Sequence, residues 1–195
     1  MGAFFGGTML FYLPILVFVP VLTMRLFAEE KASGTLEPLM TAPVSEWSIV
    51  LGKYLAALTF WCSLWIPTVL YYWIVSGLGK DTIDYGAMGA IYAGLLCSGT
   101  LYMALGLLMS AVSRSQIGAA LLTFMALSAL FLIGILSYVL QNDDHRRISE
   151  YLGVWTQLGT FAKGLVDTRF IVLDLSVAVF AIFVAVRVVQ AQRWQ

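Results

Sequence analysis

The stretch YGAMGAIYAGLLCSGTLYMALGLLMSAVS, residues 85–113, contains no charged side chain. An α-helix of about 20 residues crosses the roughly 30 Å of hydrocarbon in a bilayer, because each residue adds about 1.5 Å. The stretch is longer than that, and it lacks the alternation of apolar and polar residues that is typical of a barrel strand. It therefore predicts a transmembrane α-helix.

Four further intervals of the chain have the same character, and only the last contains an acid, Asp174. The predicted spans are residues 3–24, 54–79, 85–113, 115–142 and 170–186. Across the chain 61% of the residues are hydrophobic and 11% are charged, whereas soluble domains have about 25% charged residues. The sequence thus predicts an all-α integral membrane protein with about five transmembrane helices.

The charge and cysteine content exclude several classes of protein. The 11 basic and 11 acidic residues cancel, so the chain has no basic stripe for a nucleic acid. Cys62 and Cys97 lie inside apolar intervals and are expected to be small buried side chains rather than a disulfide. The GLGK sequence at residues 77–80 lacks the upstream glycine of a P-loop, so this chain is not expected to bind ATP. No cofactor or metal is predicted.

Two patterns concern packing. Small residues recur at every fourth position of the third span, at Gly86, Ala90, Gly94 and Ser98. Such a stripe lets two helices approach closely, either within the chain or between subunits. Residues 148–166 repeat apolar side chains at helical spacing but are too polar to span, so we expect an amphipathic or re-entrant helix there.

The segment RLFAEEKASGTLEPLMTAP, residues 25–43, follows the first span. Arg25 and Glu29 are four residues apart and can pair if the helix continues. Ser33 and Gly34 interrupt the helical pattern, and Thr35 is placed to cap a short helix over residues 36–41. Ser45 is placed to cap the next long helix. From spacing alone, an ordinary solvated turn is the favoured interpretation of this segment.

The sequence MRLFAEEKASGTLEPLMTAPVSEWSIVLGKYLAAL, residues 24–58, resembles the permeases of ABC-2 type transporters. Within that family it is most similar to the bacterial branch that includes the gliding-motility-associated permease. Residues 161–176, FAKGLVDTRFIVLDLS, resemble the family's segment before the last span.

The resemblance implies the membrane subunit of an ATP-driven transporter in the bacterial inner membrane, expected to be an exporter. Two such subunits, identical or different, would pair in the lipid bilayer and bind two separate ATP-binding subunits, which hydrolyse the ATP. The loop would contain the coupling helix that receives their motion. The positions that match the family's motif are Glu29, Glu30, Gly34, Thr35 and Glu37.

The chain departs from the family pattern in three ways. It has five predicted spans where the family usually has six, so we expect an N-terminally reduced single transmembrane domain that lacks the family's first span. Pro38 replaces an aliphatic residue, and Ser48 stands where relatives often have Glu, which removes a reciprocal capping box with Ser45.

Lys and Arg residues are nearly equally divided between the two sides, so the positive-inside rule does not decide the orientation. The resemblance sets the expected orientation instead. It places residues 25–53, Arg114 and the C-terminus in the cytoplasm and residues 143–169 outside. The near absence of charge within the spans favours a lipid-like, hydrophobic or polymeric cargo. Asp174 is expected near the outer interface.

Two other functions remain open at this stage. A reduced permease could be a non-transporting assembly or anchoring subunit. Alternatively, the adjacent glutamates Glu29 and Glu30 could belong to an intramembrane enzyme, as in proteases that combine glutamates with histidines. The single histidine, His145, is expected on the opposite side of the membrane, which disfavours a site that needs convergent ligands.

Overall fold

The computed structural model of the protein describes residues 12–35, 45–77, 84–139 and 143–192, and within these ranges it contains helices and no strands. The helices are α1 (Tyr12–Thr23), α2 (Ala28–Ser33), α3 (Glu46–Leu64), α4 (Ile66–Gly77), α5 (Tyr85–Val112), α6 (Gln116–Val139), α7 (Asp143–Leu152), α8 (Val154–Ala162) and α9 (Thr168–Gln192).

The all-α membrane architecture is confirmed, because five segments in the described ranges are long and apolar enough to span a bilayer. They are Tyr12–Ser33, Glu46–Ile74, Tyr85–Val112, Gln116–Leu136 and Thr168–Gln192. Their bounds differ from the predicted ones, since the second begins at Glu46 and the last ends at Gln192. Charged residues near a helix end, such as Lys53 and Arg187, do not stop the helix, so uncharged intervals understate its length. Residues 3–11 of the first predicted span lie outside the described ranges.

Helix α5 lies at the centre of the bundle and contacts α1, α3, α6, α8 and α9. Three glycines on it allow these close approaches. A Cβ at Gly94 would collide with Phe161, one at Gly99 with Trp61, and one at Gly106 with Thr23. The predicted small-residue stripe therefore packs within the chain at Gly94, whereas its first member, Gly86, is exposed.

The second span is interrupted beside its proline, Pro67. Helix α3 ends at Leu64, and α4 begins at Ile66, with Trp65 between them at φ −90° and ψ −10°. Pro67 has no N–H to continue the ladder of hydrogen bonds, so the break falls where the proline removes a donor. Pro20, by contrast, is accommodated inside α1.

The predicted amphipathic segment is two helices rather than one, because α7 and α8 are separated at Gly153. A Cβ at Gly153 would lie 2.8 Å from the Cα of Gly134, so the chain can turn against α6 only with glycine there. Helix α8 then packs against α5 and α6, with Leu158 and Phe161 buried. Of the two predicted forms, an amphipathic or a re-entrant helix, this buried position of α8 fits the re-entrant one.

One end of the bundle carries α2, the turn at residues 113–115 and the last turn of α9; we call it the loop end. Helices α5 and α6 are joined by a tight turn, in which the Ser113 hydroxyl donates to the Ser115 carbonyl at 2.9 Å. The Gln192 amide donates to the Ala111 carbonyl at 3.3 Å. Helix α8 lies towards the other end, since Val154 meets Tyr12 at the start of α1. The described parts of the segments predicted to share a side of the membrane thus share an end of the bundle.

Candidate functional site at the loop end

The chain leaves α1 through a turn at residues 24–27 that is fastened to α5. The Ser110 hydroxyl accepts hydrogen bonds from the N–H groups of Phe27 at 3.0 Å and Ala28 at 3.2 Å. The same hydroxyl donates a hydrogen bond to the Met24 carbonyl at 3.3 Å. Since the first N–H groups of a helix have no partner within it, one serine of α5 satisfies the start of α2. Phe27 is fully buried beneath this turn.

Lys53 of α3 ties the same turn to a second helix. Its Nζ lies 2.6 Å from Glu30 Oε1 and 2.5 Å from the Leu26 carbonyl. It also lies 4.9 Å from the centre of the Phe27 ring. Both charged side chains are partly shielded, with 20% of the Lys53 side chain and 29% of the Glu30 side chain exposed. The pair therefore fixes α2 against α3 more firmly than a fully solvated pair could.

Lys31 connects α2 to the end of α5. Its Nζ donates to the carbonyls of Ala111 and, at 3.2 Å, of Ser113. The last carbonyls of a helix lack partners within it and form the negative end of its dipole, so a cation stabilises them. The Gln192 amide of α9 shares the Ala111 carbonyl. Helices α2, α5 and α9 therefore meet at this point.

Helix α2 ends at Gly34, where φ is 71°. The Thr35 N–H bonds to the Glu30 carbonyl at 3.0 Å, and the Gly34 N–H bonds to the Lys31 carbonyl at 3.4 Å. These two bonds form a Schellman motif, whose left-handed residue is normally glycine because a Cβ there is strained. The predicted backbone turn at Gly34 is confirmed.

The structure divides the predicted site residues into two groups. Glu29, Gly34 and Thr35 are exposed, whereas Glu30 is half-buried against Lys53. Glu37 and the predicted short helix at residues 36–41 lie outside the described ranges.

The predicted ion pair between Arg25 and Glu29, both described, does not form. Helix α1 stops at Thr23 and α2 starts at Ala28, so the two residues are not on one continuous helix. The predicted cap at Ser45 is confirmed, since its hydroxyl accepts the Ser48 N–H at 3.2 Å. Ser48 also bonds to it through its own hydroxyl at 2.8 Å.

Sequence analysis missed the residues that attach α2 to the bundle, namely Lys31, Lys53 and Ser110. In the sequence, the two lysines are recognisable only as charges at a membrane boundary. Their partners are mostly main-chain carbonyls, which leave no pattern in a sequence. Ser110 carried a weak signal, because it lies four residues after Gly106 on the same face of α5.

The enzyme hypothesis finds no convergent ligands here. Within the described part of the chain, no group of three His, Cys, Asp or Glu residues could hold a metal ion. His145 belongs to α7, which follows α6 at the end away from α2. The adjacent glutamates and the histidine are therefore at opposite ends of the bundle.

Comparison with known families identifies the chain. Residues 4–157 match the family described as ABC-2 family transporter protein. The chain belongs to this family. As an ABC-2 family member it is a multi-pass membrane component of a transporter, a role in which the membrane subunit is not itself the catalyst. The comparisons found no match among curated proteins and none among solved structures. The placement in the gliding-motility branch and the missing first span stay predictions.

Proposed function

We propose that this ABC-2 chain is the permease subunit of an ATP-driven exporter, and that α2 with the following loop is where a separate ATP-binding subunit docks. A second permease subunit would complete the transporter in a bacterial inner membrane. The observation that supports this most is the attachment of α2. One face of this short helix is bonded to α3 and α5, while Glu29, Ser33, Gly34 and Thr35 are exposed.

The contacts of α2 with α3 and α5 suit a helix that receives motion from a docked subunit. Lys53 connects α2 to α3, and Ser110 and Lys31 connect it to the last turn of α5. Helix α5 in turn contacts α1, α3, α6, α8 and α9. A displacement of α2 would therefore be transmitted to α3 and α5 through these hydrogen bonds, and from α5 to most of the bundle.

The acidic residues that face away from the bundle would recognise the ATP-binding subunit. Glu29 is exposed and is not paired with Arg25, so its carboxylate is available to a basic side chain of the partner. Complementary charges of this kind set the choice of partner and the rate of association more than the affinity. Glu37, which the resemblance assigns to the same surface, remains a predicted member. Glu30 instead has a structural role, since its carboxylate binds Lys53.

The experiment is a pull-down of the ATP-binding subunit by the membrane-inserted permease, with a melting curve for each variant. We expect Glu29→Lys combined with Glu37→Lys to reduce co-purification or to uncouple ATP hydrolysis from transport. Glu29→Lys alone should hardly change the melting temperature, because Glu29 is exposed and exposed substitutions usually alter stability by less than about 0.5 kcal/mol. Gly34→Val should also impair coupling, since φ is 71° there.

Glu30→Gln is the matched control, because it removes one charge from the same helix but on the inward face. It should lower the melting temperature and leave association intact. If the double charge reversal leaves both association and coupled transport unchanged, the segment is an ordinary solvated turn. If the subunits associate but no cargo is moved by any variant or by the parent protein, the chain is an anchoring subunit.

The cargo we propose is lipid-like, hydrophobic or polymeric. Among the described residues, the candidate spans contain few ionisable groups away from their ends, and a path for small charged solutes normally requires such groups. Asp174 is the clear exception, and its side chain is buried inside the bundle.

A further inference from the structure

A groove between α3 and α9 opens on the outside of the bundle. The two helices contact each other, and the groove between them has a volume of about 420 Å³, within the range of about 300–1,000 Å³ that is typical of ligand pockets. Its lining side chains are aliphatic or aromatic except for Ser176, whose hydroxyl is bonded to the Val172 carbonyl within α9. The groove therefore suits an apolar ligand. The lining includes Trp47 and Leu51 of α3 and Val179, Phe180 and Phe183 of α9.

One mouth of the groove lies at the boundary of the membrane. Residues 176–183 extend about 10 Å along α9, at about 1.5 Å per residue. At the loop end of this stretch the ring of Phe183 lies 6.3 Å from that of Trp47. Trp47 is the second residue of α3, and tryptophan favours the boundary between hydrocarbon and lipid head groups. The groove thus starts at that boundary and continues into the hydrocarbon.

A cation stands at this mouth. The guanidinium of Arg187 lies 5.0 Å from the centre of the Phe183 ring, and Arg187 is exposed. One of its five N–H donors bonds to the Gln190 side chain at 3.2 Å. Arg187 forms no ion pair with any residue that the structure describes. A guanidinium that stacks on a ring keeps N–H groups free at its edge, where they can bind a phosphate through two parallel hydrogen bonds.

We propose that this groove binds one phospholipid, whose acyl chain lies along α9 and whose head-group phosphate is held by Arg187. An apolar groove that ends at an exposed cation is complementary to a ligand with an apolar body and an anionic end. Phosphatidylglycerol should bind better than phosphatidylcholine, because the choline cation offsets the charge of the phosphate. The site depends only on insertion of the chain in a membrane and not on transport.

The first test counts the lipids on the intact permease by native mass spectrometry. The protein is purified in a mild detergent, phosphatidylglycerol is added, and the affinity of the first bound lipid is measured. We expect Arg187→Gln to weaken this affinity about tenfold, because it removes the charge-assisted hydrogen bonds to the phosphate. Phosphatidylcholine should bind the parent protein more weakly than phosphatidylglycerol does.

Three further variants separate the groove from its surroundings. Ser176→Phe places a ring in the groove while Arg187 is unchanged, and it should weaken phosphatidylglycerol binding to a similar extent. Leu175→Phe is its matched control, because Leu175 is exposed on the same helix but does not line the groove. Arg114→Gln is the control for charge, because Arg114 is exposed at the turn between α5 and α6. Both controls should bind phosphatidylglycerol as the parent does.

The position of the lipid is tested in the unaltered protein, so this result does not depend on how a variant folds. Phosphatidylglycerol with a photoreactive diazirine in its acyl chain is added to membrane vesicles, and the cross-linked peptides are identified by mass spectrometry. Adducts should concentrate on residues 47–51 and 176–183. Adducts spread evenly over the exposed faces of the five candidate spans would indicate ordinary solvating lipid and would overturn the proposal.

Two outcomes of the native mass measurement would overturn it as well. The first is an unchanged affinity in Arg187→Gln or Ser176→Phe, or an equal loss in their controls. The second is conversion of a dimer into monomers with unchanged lipid binding, which would make the groove an interface between two copies of the permease. Either outcome would leave the proposed transport function standing, because the groove lies outside the docking segment at α2.

Discussion

At the scale of single residues, the glycines of α5 decide how closely the bundle can pack. Gly99 faces the indole of Trp61, whose Nε1 donates to the Leu95 carbonyl at 3.1 Å. A methyl group at Gly99 would occupy the volume of that ring. In hydrocarbon, helices associate through such close packing because there is no hydrophobic drive between them.

We therefore expect Gly99→Ala to lower the melting temperature of the permease, at a cost of about 1–3 kcal/mol typical of overpacking. Gly89→Ala is the matched control on the same helix, since nothing lies within 4 Å of a Cβ there. It should be neutral or slightly stabilising, because alanine favours a helix by up to about 1 kcal/mol over glycine. Thermal melting in detergent measures both, and equal melting temperatures for the two variants would contradict the packing argument.

At the scale of elements, the break between α3 and α4 places an aromatic cluster against α5. The rings of Trp61 and Trp65 meet edge to face with centroids 5.4 Å apart, and Trp61 meets Tyr102 in the same way at 6.1 Å. Trp65 is thus the residue at which α3 ends and also a packing partner of the buried Trp61. Trp65 lies four residues after Trp61, so the two rings are on the same face of the chain.

Trp65→Ala should lower stability and leave the range of transported substrates unchanged, because Trp65 packs against other aromatic residues. The loss should be about 1–3 kcal/mol, less than the about 3–5 kcal/mol of a fully buried tryptophan, since Trp65 is only half-buried. Trp73→Ala is the control, as 76% of Trp73 is exposed, and should cost less. Unchanged melting with an altered substrate range would show that Trp65 contacts cargo.

At the scale of the whole molecule, the bundle has two chemically different ends. The loop end gathers α2, the α5–α6 turn and the last turn of α9, which are joined by Lys31 and Gln192. The other end holds α8, whose Val154 carbonyl accepts a hydrogen bond from the Tyr12 hydroxyl. The resemblance predicts that the loop end is cytoplasmic, and the described parts of the segments assigned to that side lie together.

Cysteine labelling of intact cells measures this orientation. In the chain with Cys62 and Cys97 replaced, an impermeant reagent added outside should modify Lys163→Cys and spare Ser33→Cys, because both positions are exposed but lie towards opposite ends. Permeabilised cells should label both, which controls for reactivity. The reverse pattern would refute the orientation and the docking role of α2 together.

The sequence by itself determined the features that depend on local chemistry. Long uncharged runs have one low-energy form in a bilayer, so the helical class and the five candidate spans followed from composition and length. Gly34 predicted the turn after α2, and Ser45 predicted the cap of α3. Each of these depends on a residue's own backbone or on neighbours within one helical turn.

Only the tertiary structure decided which helix is central and which charged side chains turn inward. Lys31 and Lys53 bind main-chain carbonyls of segments far away in the chain, and such acceptors exist at every residue and so leave no mark in a sequence. Asp174 stands near the start of the last predicted span, and only the folded chain shows that its side chain is buried. Contacts between segments far apart in the chain depend on the whole packing arrangement, which no local pattern encodes.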